Sequence, residues 1–204
     1  MPNGLRLHKV LLYLGRENII FMNSLYIIIG IAVIIGGWLL MTYNGLISLR
    51  NRVREAWSQI DVQLKRRASL IPNLVEAIKG YAKHEKELLE NVTKARAAMV
   101  GATTPHEKAA ANDLLSGMLK NLFAVAEAYP DLKASENFKQ LQEELSDTET
   151  KVAAARQFYN TNVLDLNNTL EQIPSSLVGS WFGFKKEDFF KATEEEKKDI
   201  QVKF

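Results

Sequence analysis

The chain has 204 residues, 47% of them apolar and 25% charged, with 26 Lys and Arg against 24 Asp and Glu and a formal charge of +2. That balance excludes a disordered chain and a polytopic membrane protein, and the absence of cysteine excludes disulfides, thiolate metal sites and a cysteine nucleophile. Without residues 1–42, which hold Arg6, Lys9, Arg16 and Glu17, 23 basic residues stand against 23 acidic ones. An evenly mixed surface of this kind argues against a nucleic-acid-binding face.

Residues 1–22 carry scattered basic residues and no clear helix caps, and Met22 opens a more compact start. They read either as an extension upstream of the true start or as a juxtamembrane segment. From Leu25 to Met41 the chain has no charge, and the stretch 23–43 has the ~20 residues that cross a hydrocarbon core of ~30 Å. Tyr26, Trp38 and Tyr43 sit near its ends, as interfacial aromatics do. A cleaved signal peptide would need a small-x-small site, and Leu39–Tyr43 offers none. The segment is expected to be an uncleaved single-pass anchor. Arg50, Arg52 and Arg54 follow it closely, and with Met22 as the start the positive-inside rule puts the domain on the cytoplasmic side of a bacterial inner membrane; with Met1 as the start, Arg6, Lys9 and Arg16 weigh against that side.

After Asn44 the pattern becomes amphipathic. Leu46, Leu49, Val53, Trp57, Ile60 and Leu64 step by threes and fours, Ile71, Leu74, Ile78 and Tyr81 continue the series, and Leu88, Val92, Ala95 and Met99 complete it. The spacing predicts one long helix closed at Gly101, with a kink or break at Pro72 because the carbonyl of Ala68 loses its amide partner there. Thr104-Pro105 predicts the cap and first turn of a second helix running to about Ala128, with Leu115, Met118, Leu119, Leu122 and Val125 on one face. A third block starts near Ser135 with the cleanest heptad of the chain: Phe138, Leu141, Leu145, Thr148, Val152, Ala155, Tyr159, Asn162, Leu166 and Ile173. Strand-like alternation is missing. The expected fold is all-α: a transmembrane helix, then an antiparallel four-helix-bundle-like domain over 44–174 with a long first helix.

Length sets a problem. A continuous helix from Asn44 to Val100 would be roughly 85 Å long and the second block only about 35 Å, so the second cannot cover the first. Either Pro72 divides the first helix into two bundle members, or its membrane-proximal part is covered by something else. The candidate cover is the C-terminal segment 175–204, where Trp181, Phe182, Phe184, Phe189 and Phe190 are too apolar to leave in water. It either docks on the bundle or lies on the membrane surface with Lys185 and Lys186 at the headgroups.

Nothing in the chain points to catalysis. His84-Glu85 is followed by Leu88 where a zinc-protease motif needs histidine, and no glycine-rich phosphate loop or nucleophile elbow is present. No metal or cofactor is expected. The unusual residues are polar ones along the apolar seam: Trp57, Asp61, Gln63, Arg66, Arg67 and Asn73 on the first block, with Glu149, Arg156, Tyr159, Asn160, Asn162 and Asn167 on the third. A buried amide or charge must find a partner or costs about 1–3 kcal/mol. These residues either pair across helices and fix register, or form a recognition site for a partner protein or small ligand.

At these residues the chain resembles the LemA family of bacterial membrane proteins. The resemblance rests on Trp57-Ser-Gln-Ile-Asp-Val-Gln-Leu64 with Arg66-Arg67, Leu70-Ile-Pro-Asn-Leu74, Lys79-Gly-Tyr81, His84-Glu85 and Ala95-Arg96, then on Tyr129-Pro-Asp-Leu-Lys-Ala134, Asn137-Phe138, Leu141-Gln142, Arg156, Tyr159-Asn160, Asn167 and Pro174. Ser69 departs from the acidic residue the family usually carries before Leu-Ile-Pro-Asn-Leu. The resemblance covers roughly residues 40–204 and implies a single N-terminal span, a four-helix-bundle domain and no established enzymatic activity. The resulting expectation is a non-catalytic, membrane-anchored scaffold or adaptor of the bacterial envelope, with the bilayer and unknown proteins as partners and no nucleic acid. The alternatives are an accessory regulator of a membrane enzyme, such as a protease or signalling kinase, and a membrane-shaping homo-oligomer.

Overall fold

The computed structural model describes residues 3–82 and 84–190, with side chains from Met22 onward except Ser24. The expected charged stretch and Val202-Lys203-Phe204 lie outside the described residues, as do the side chains of residues 1–21. The long amphipathic pattern forms one helix, α1 (Asn3–Lys79), of 77 residues, about 115 Å at 1.5 Å per residue. Its apolar stretch beginning at Leu25 is long and apolar enough to cross a membrane, and no residue of its most apolar 18-residue window is buried. Beyond Tyr43 the same helix turns amphipathic, and Leu46, Ile60, Ile71, Leu74 and Ile78 are buried to within 1%.

Pro72 lies inside α1 without ending it. Of the expected kink or break, the break does not occur, and the vacated carbonyl has a substitute donor: Nε of Arg96 donates to the Ala68 oxygen at 2.9 Å. A proline ring pushes the carbonyl four residues back off the helix axis, and here that tilt presents it to a neighbouring helix. The real interruption comes later. After Lys79 the chain turns through Gly80 and Tyr81, whose amide bonds the Ile78 carbonyl at 3.0 Å, and α2 (Lys86–Gly101) begins. The step from Tyr81 to Leu88 is one heptad, so the apolar series runs unbroken across a turn and reads as continuous helix.

α3 (Pro105–Ala126) starts as expected, with Thr104 and Glu107 forming a capping box behind Pro105. The short α4 (Pro130–Ala134) leads into α5 (Glu136–Glu171), 36 residues long. α6 (Ser175–Trp181) follows. No strand occurs among the described residues. α5 matches the length of α1 between 44 and 79, about 54 Å, and pairs along it: the Trp57 and Tyr159 rings are 5.7 Å apart, Arg67 Nη2 is 3.7 Å from Glu149, and Gly179 wedges between Leu46 and Leu170.

The two halves of α1 are covered differently. Above about residue 60, α2 and α3 join α5: Arg96 reaches Ala68, Lys108 reaches Asp61, and Asn112 reaches Arg67. Below it, α6 and the segment after it take the place of a helix, so the length mismatch is met by the C-terminal segment. Gly179 fits closely there: a Cβ would come within 2.6 Å of the Leu170 terminal methyl, which would have to move aside.

Most heptad positions lie in the core; Ile173 is the exception at 85% exposed, since α5 ends at Glu171. Tyr81 is also half-exposed, past the end of α1. Each fully buried Leu or Ile contributes roughly 1.5–3 kcal/mol, against at most ~1 kcal/mol for an exposed ion pair. The seam, not the surface charge, holds the helices together. Arg96→Ala should destabilise the chain by about 1–3 kcal/mol by orphaning the Ala68 carbonyl. In a Pro72→Ala background, where residue 72 regains its amide, the same change should cost well under half as much; urea denaturation of the four chains of that cycle measures the difference.

Candidate interaction site in the polar seam

Three polar clusters line the seam: two join α1 to α3, and the third joins α5 to the C-terminal segment. The first lies midway along α1. Lys108, only 9% exposed, reaches from α3 into an ion pair with Asp61, and Lys65 lies 2.7 Å from the other carboxylate oxygen. The Lys108 ammonium also stands 5.8 Å from the centre of the Trp57 ring, within cation–π range. The hydrogen bond from Lys108, then that from Lys65, hold the Asp61 carboxyl below its ordinary value against the opposing effect of burial.

The second cluster centres on Arg67, 1% exposed. Its Nη1 donates to Asn112 Oδ1 at 2.8 Å and to Ser116 Oγ at 2.9 Å, so α3 is stitched to α1 through one nitrogen. Nη2 faces Glu149 of α5, and Nε is buried without a hydrogen bond. Burial pulls the guanidinium pKa down, with the Glu149 and Asp113 carboxylates pushing back. A cleft of about 580 Å³ opens beside it, lined by Ser116, Lys120, Gln142, Ser146 and Glu149 among others. It brings charge, amide and hydroxyl groups together.

The third cluster holds the C-terminal strap. Gly183 adopts φ 70°, a left-handed turn open to glycine, and swings the chain from α6 back along the helices. Asn167 then donates to the Glu187 carbonyl at 2.9 Å and accepts from the Glu187 amide at 3.0 Å. Asn160 does the same with Phe190, both at 2.9 Å. The two asparagines are seven residues apart on α5, about 10.5 Å along a helix. Glu187 and Phe190 are three apart, about 10 Å in extended chain. The match lets one helix face read the main chain of an extended segment. Tyr159 adds a hydroxyl bond to the Asp188 carbonyl at 2.9 Å, and burial pushes its pKa up to about 12. Phe190, fully buried, sits 6.4 Å from the Trp57 ring.

The other expected residues scatter. Gln63 is half-buried with Oε1 unpartnered, in a recess with Gln59, Val62 and Phe158. Arg66 is exposed, 3.9 Å from Asp147. Asn73 is exposed beside Asn137 and Gln140. Arg156 borders a recess shared with Asn160, Leu164 and Phe189. Asn162 donates to the Phe158 carbonyl within its own helix, and Ser69 donates likewise to that of Arg66. The structure adds Arg96, Lys108, Asn112 and Ser116, which sequence reasoning missed. Lys108 and Asn112 stand one turn apart leading into Leu115 on the apolar stripe of α3, and that spacing was the available signal.

The LemA family model matches residues 56–204. Protein LemA of Metamycoplasma hominis is 28% identical over 163 residues, covering 78% of this chain and 73% of that protein. Magnetosome protein MamQ of Magnetospirillum gryphiswaldense is 22% identical over 178 residues, covering 74% of this chain, which spans 65% of that protein. A MamQ of Paramagnetospirillum magneticum matches at the same identity and coverage.

Two outcomes test the clusters. Replacing Asn160 and Asn167 together by leucine should abolish hydrogen-exchange protection at the Glu187 and Phe190 amides while leaving α1 and α3 protected. The Asp61 pKa is lowered on folding, so its ionised form stabilises the fold at neutral pH, and that contribution is lost as pH falls through the folded-state value. The stability gap between wild type and Asp61→Asn should therefore be steady at neutral pH and close below about pH 4, as read by denaturation midpoints along a pH series.

Proposed function

The chain belongs to the LemA family, and on that premise we propose that it is a membrane-anchored, non-catalytic interaction protein, a scaffold or adaptor of the bacterial envelope. The observation that carries this reading is α1 itself: the apolar stretch and the core seam of the domain are one helix, with no linker between them. Such an anchor presents a rigid surface at a set distance from the bilayer. The distal part is an antiparallel four-helix bundle of α1, α2, α3 and α5, with coiled-coil-like packing in α1 and α5. Arg50, Arg52 and Arg54 after the apolar stretch favour the cytoplasmic side of the inner membrane. The names LemA and MamQ denote no catalytic activity.

The recognition surface is the cleft beside Arg67, where a buried cation with an unpartnered Nε meets Lys120, Gln142 and Ser146. The other polar clusters are occupied by internal pairs and set register. Crosslinking in native membranes followed by mass spectrometry tests the proposal. Heterotypic products mapping to the α3–α5 face, and reduced by Lys120→Glu with Gln142→Ala, are the expected result. A homotypic ladder alone would replace the scaffold reading with the membrane-shaping oligomer. One dominant enzyme partner would replace it with the regulator.

A further inference from the structure

α6 carries apolar residues on two faces. Val178 and Gly179 are buried against the helices, with Leu46 and Leu170 as neighbours. On the other side Leu177 and Trp181, one turn apart, are 61% and 78% exposed, flanked by Ile173 at 85% and Phe182 at 58%. A helix this short, apolar inside and out, has no reason to face water. Its position supplies one. The Phe182 ring lies 4.7 Å from that of Tyr43, two residues past Met41, where the apolar stretch of α1 gives way to Thr42, Tyr43 and Asn44. Gly179 lies beside Leu46, only about 4.5 Å further along the helix axis than Tyr43. The polar layer on each side of a bilayer core is roughly 5–8 Å thick. The whole patch therefore falls at headgroup level when α1 spans the membrane.

We propose that Ile173, Leu177, Trp181 and Phe182 form a second membrane contact, inserted in the interfacial layer beside the span and continuous with it through Tyr43. Tryptophan at this depth matches the preference of amphipathic rings for the interface, and an apolar helix face lying in the headgroup region is the usual arrangement of an interfacial helix. Val62, another exposed apolar residue, shares a recess with Phe158 about 28 Å beyond Tyr43 along α1, far from the span. The two contacts together fix rotation of the domain about α1, which a single span leaves free.

The proposal rests on the membrane-anchored reading, and the test separates the two. The chain has no cysteine, so a single introduced cysteine labels one site. Ile34→Cys, Leu177→Cys and Leu114→Cys, all at exposed positions, are labelled with an environment-sensitive fluorophore in the full chain. Each is placed in phosphatidylethanolamine–phosphatidylglycerol nanodiscs containing a lipid with a nitroxide high on its acyl chain. Circular dichroism confirms that each variant folds. The expected result is strong lipid quenching at positions 34 and 177, with several-fold weaker quenching at 114, where aqueous iodide quenches instead. Lipid quenching at 34 with iodide quenching at 177 would overturn the interfacial contact and leave the anchor standing. Loss of lipid quenching at 34 would overturn both.

Discussion

The bond from Arg96 to the Ala68 carbonyl closes the gap that Pro72 opens in the hydrogen bonding of α1. Proline inside a helix removes a hydrogen bond and crowds the carbonyl four residues earlier, and an orphaned, buried carbonyl costs on the order of 1–3 kcal/mol. Ala68 is 4% exposed, so water is no substitute. A guanidinium supplied by α2 meets the need at 2.9 Å, and the defect becomes the point where α2 is pinned. With that bond in place α1 runs from the apolar stretch to Lys79, and α2, α3, α5 and α6 are positioned against it.

Along that axis the same helix is covered by two kinds of partner. In the far half, helices close the core and the polar residues are ionic: Asp61 with Lys108, Arg67 with Asn112 and Glu149. In the near half, α6 and an extended strap replace a helix, and the polar residues are amides that bond main chain. The difference follows from chemistry. A helix has spent its backbone donors and acceptors internally and offers side chains to a neighbour; an extended strand has both left over. Asparagine, with one donor group and one acceptor on a short stem, satisfies a peptide unit of such a strand completely. The capping box at Thr104 makes the same economy visible at a helix start, where the backbone amides of Thr103 and Thr104 hold the Glu107 carboxyl at about 2.

Much of this was legible in the residues. Heptad spacing located α3 and α5 within a few positions, and the cap at Thr104 followed from its proline. Two features were not. The turn at Gly80–Glu85 was hidden because Tyr81 and Leu88 are one heptad apart, so periodicity alone sees no interruption. Pro72, by contrast, announced a kink or break, and the break did not occur; its remedy lies 24 residues away in Arg96, and local sequence does not encode which distant donor will arrive. The polar seam divides in the same way. Asp61, Arg67, Asn160 and Asn167 stood out as costly groups beside an apolar stripe, but their partners depend on tertiary register. Asn73 and Arg66 were flagged by the same reasoning and lie on the surface, at the rim of the contact with α5, beside Asn137 and Asp147.

The lack of any hinge between the apolar stretch and α1's core half sets a height. Arg67 lies 24 residues beyond Tyr43 on one uninterrupted helix, about 36 Å along its axis. A flexible tether would let the domain sweep a hemisphere and meet partners at any depth. With α1 spanning the membrane as proposed, an unhinged helix would confine the cleft to a thin layer parallel to the bilayer, and encounters with other membrane proteins would become a search in two dimensions. Partners whose own domains stood too low or too tall would be excluded before any side chain is compared.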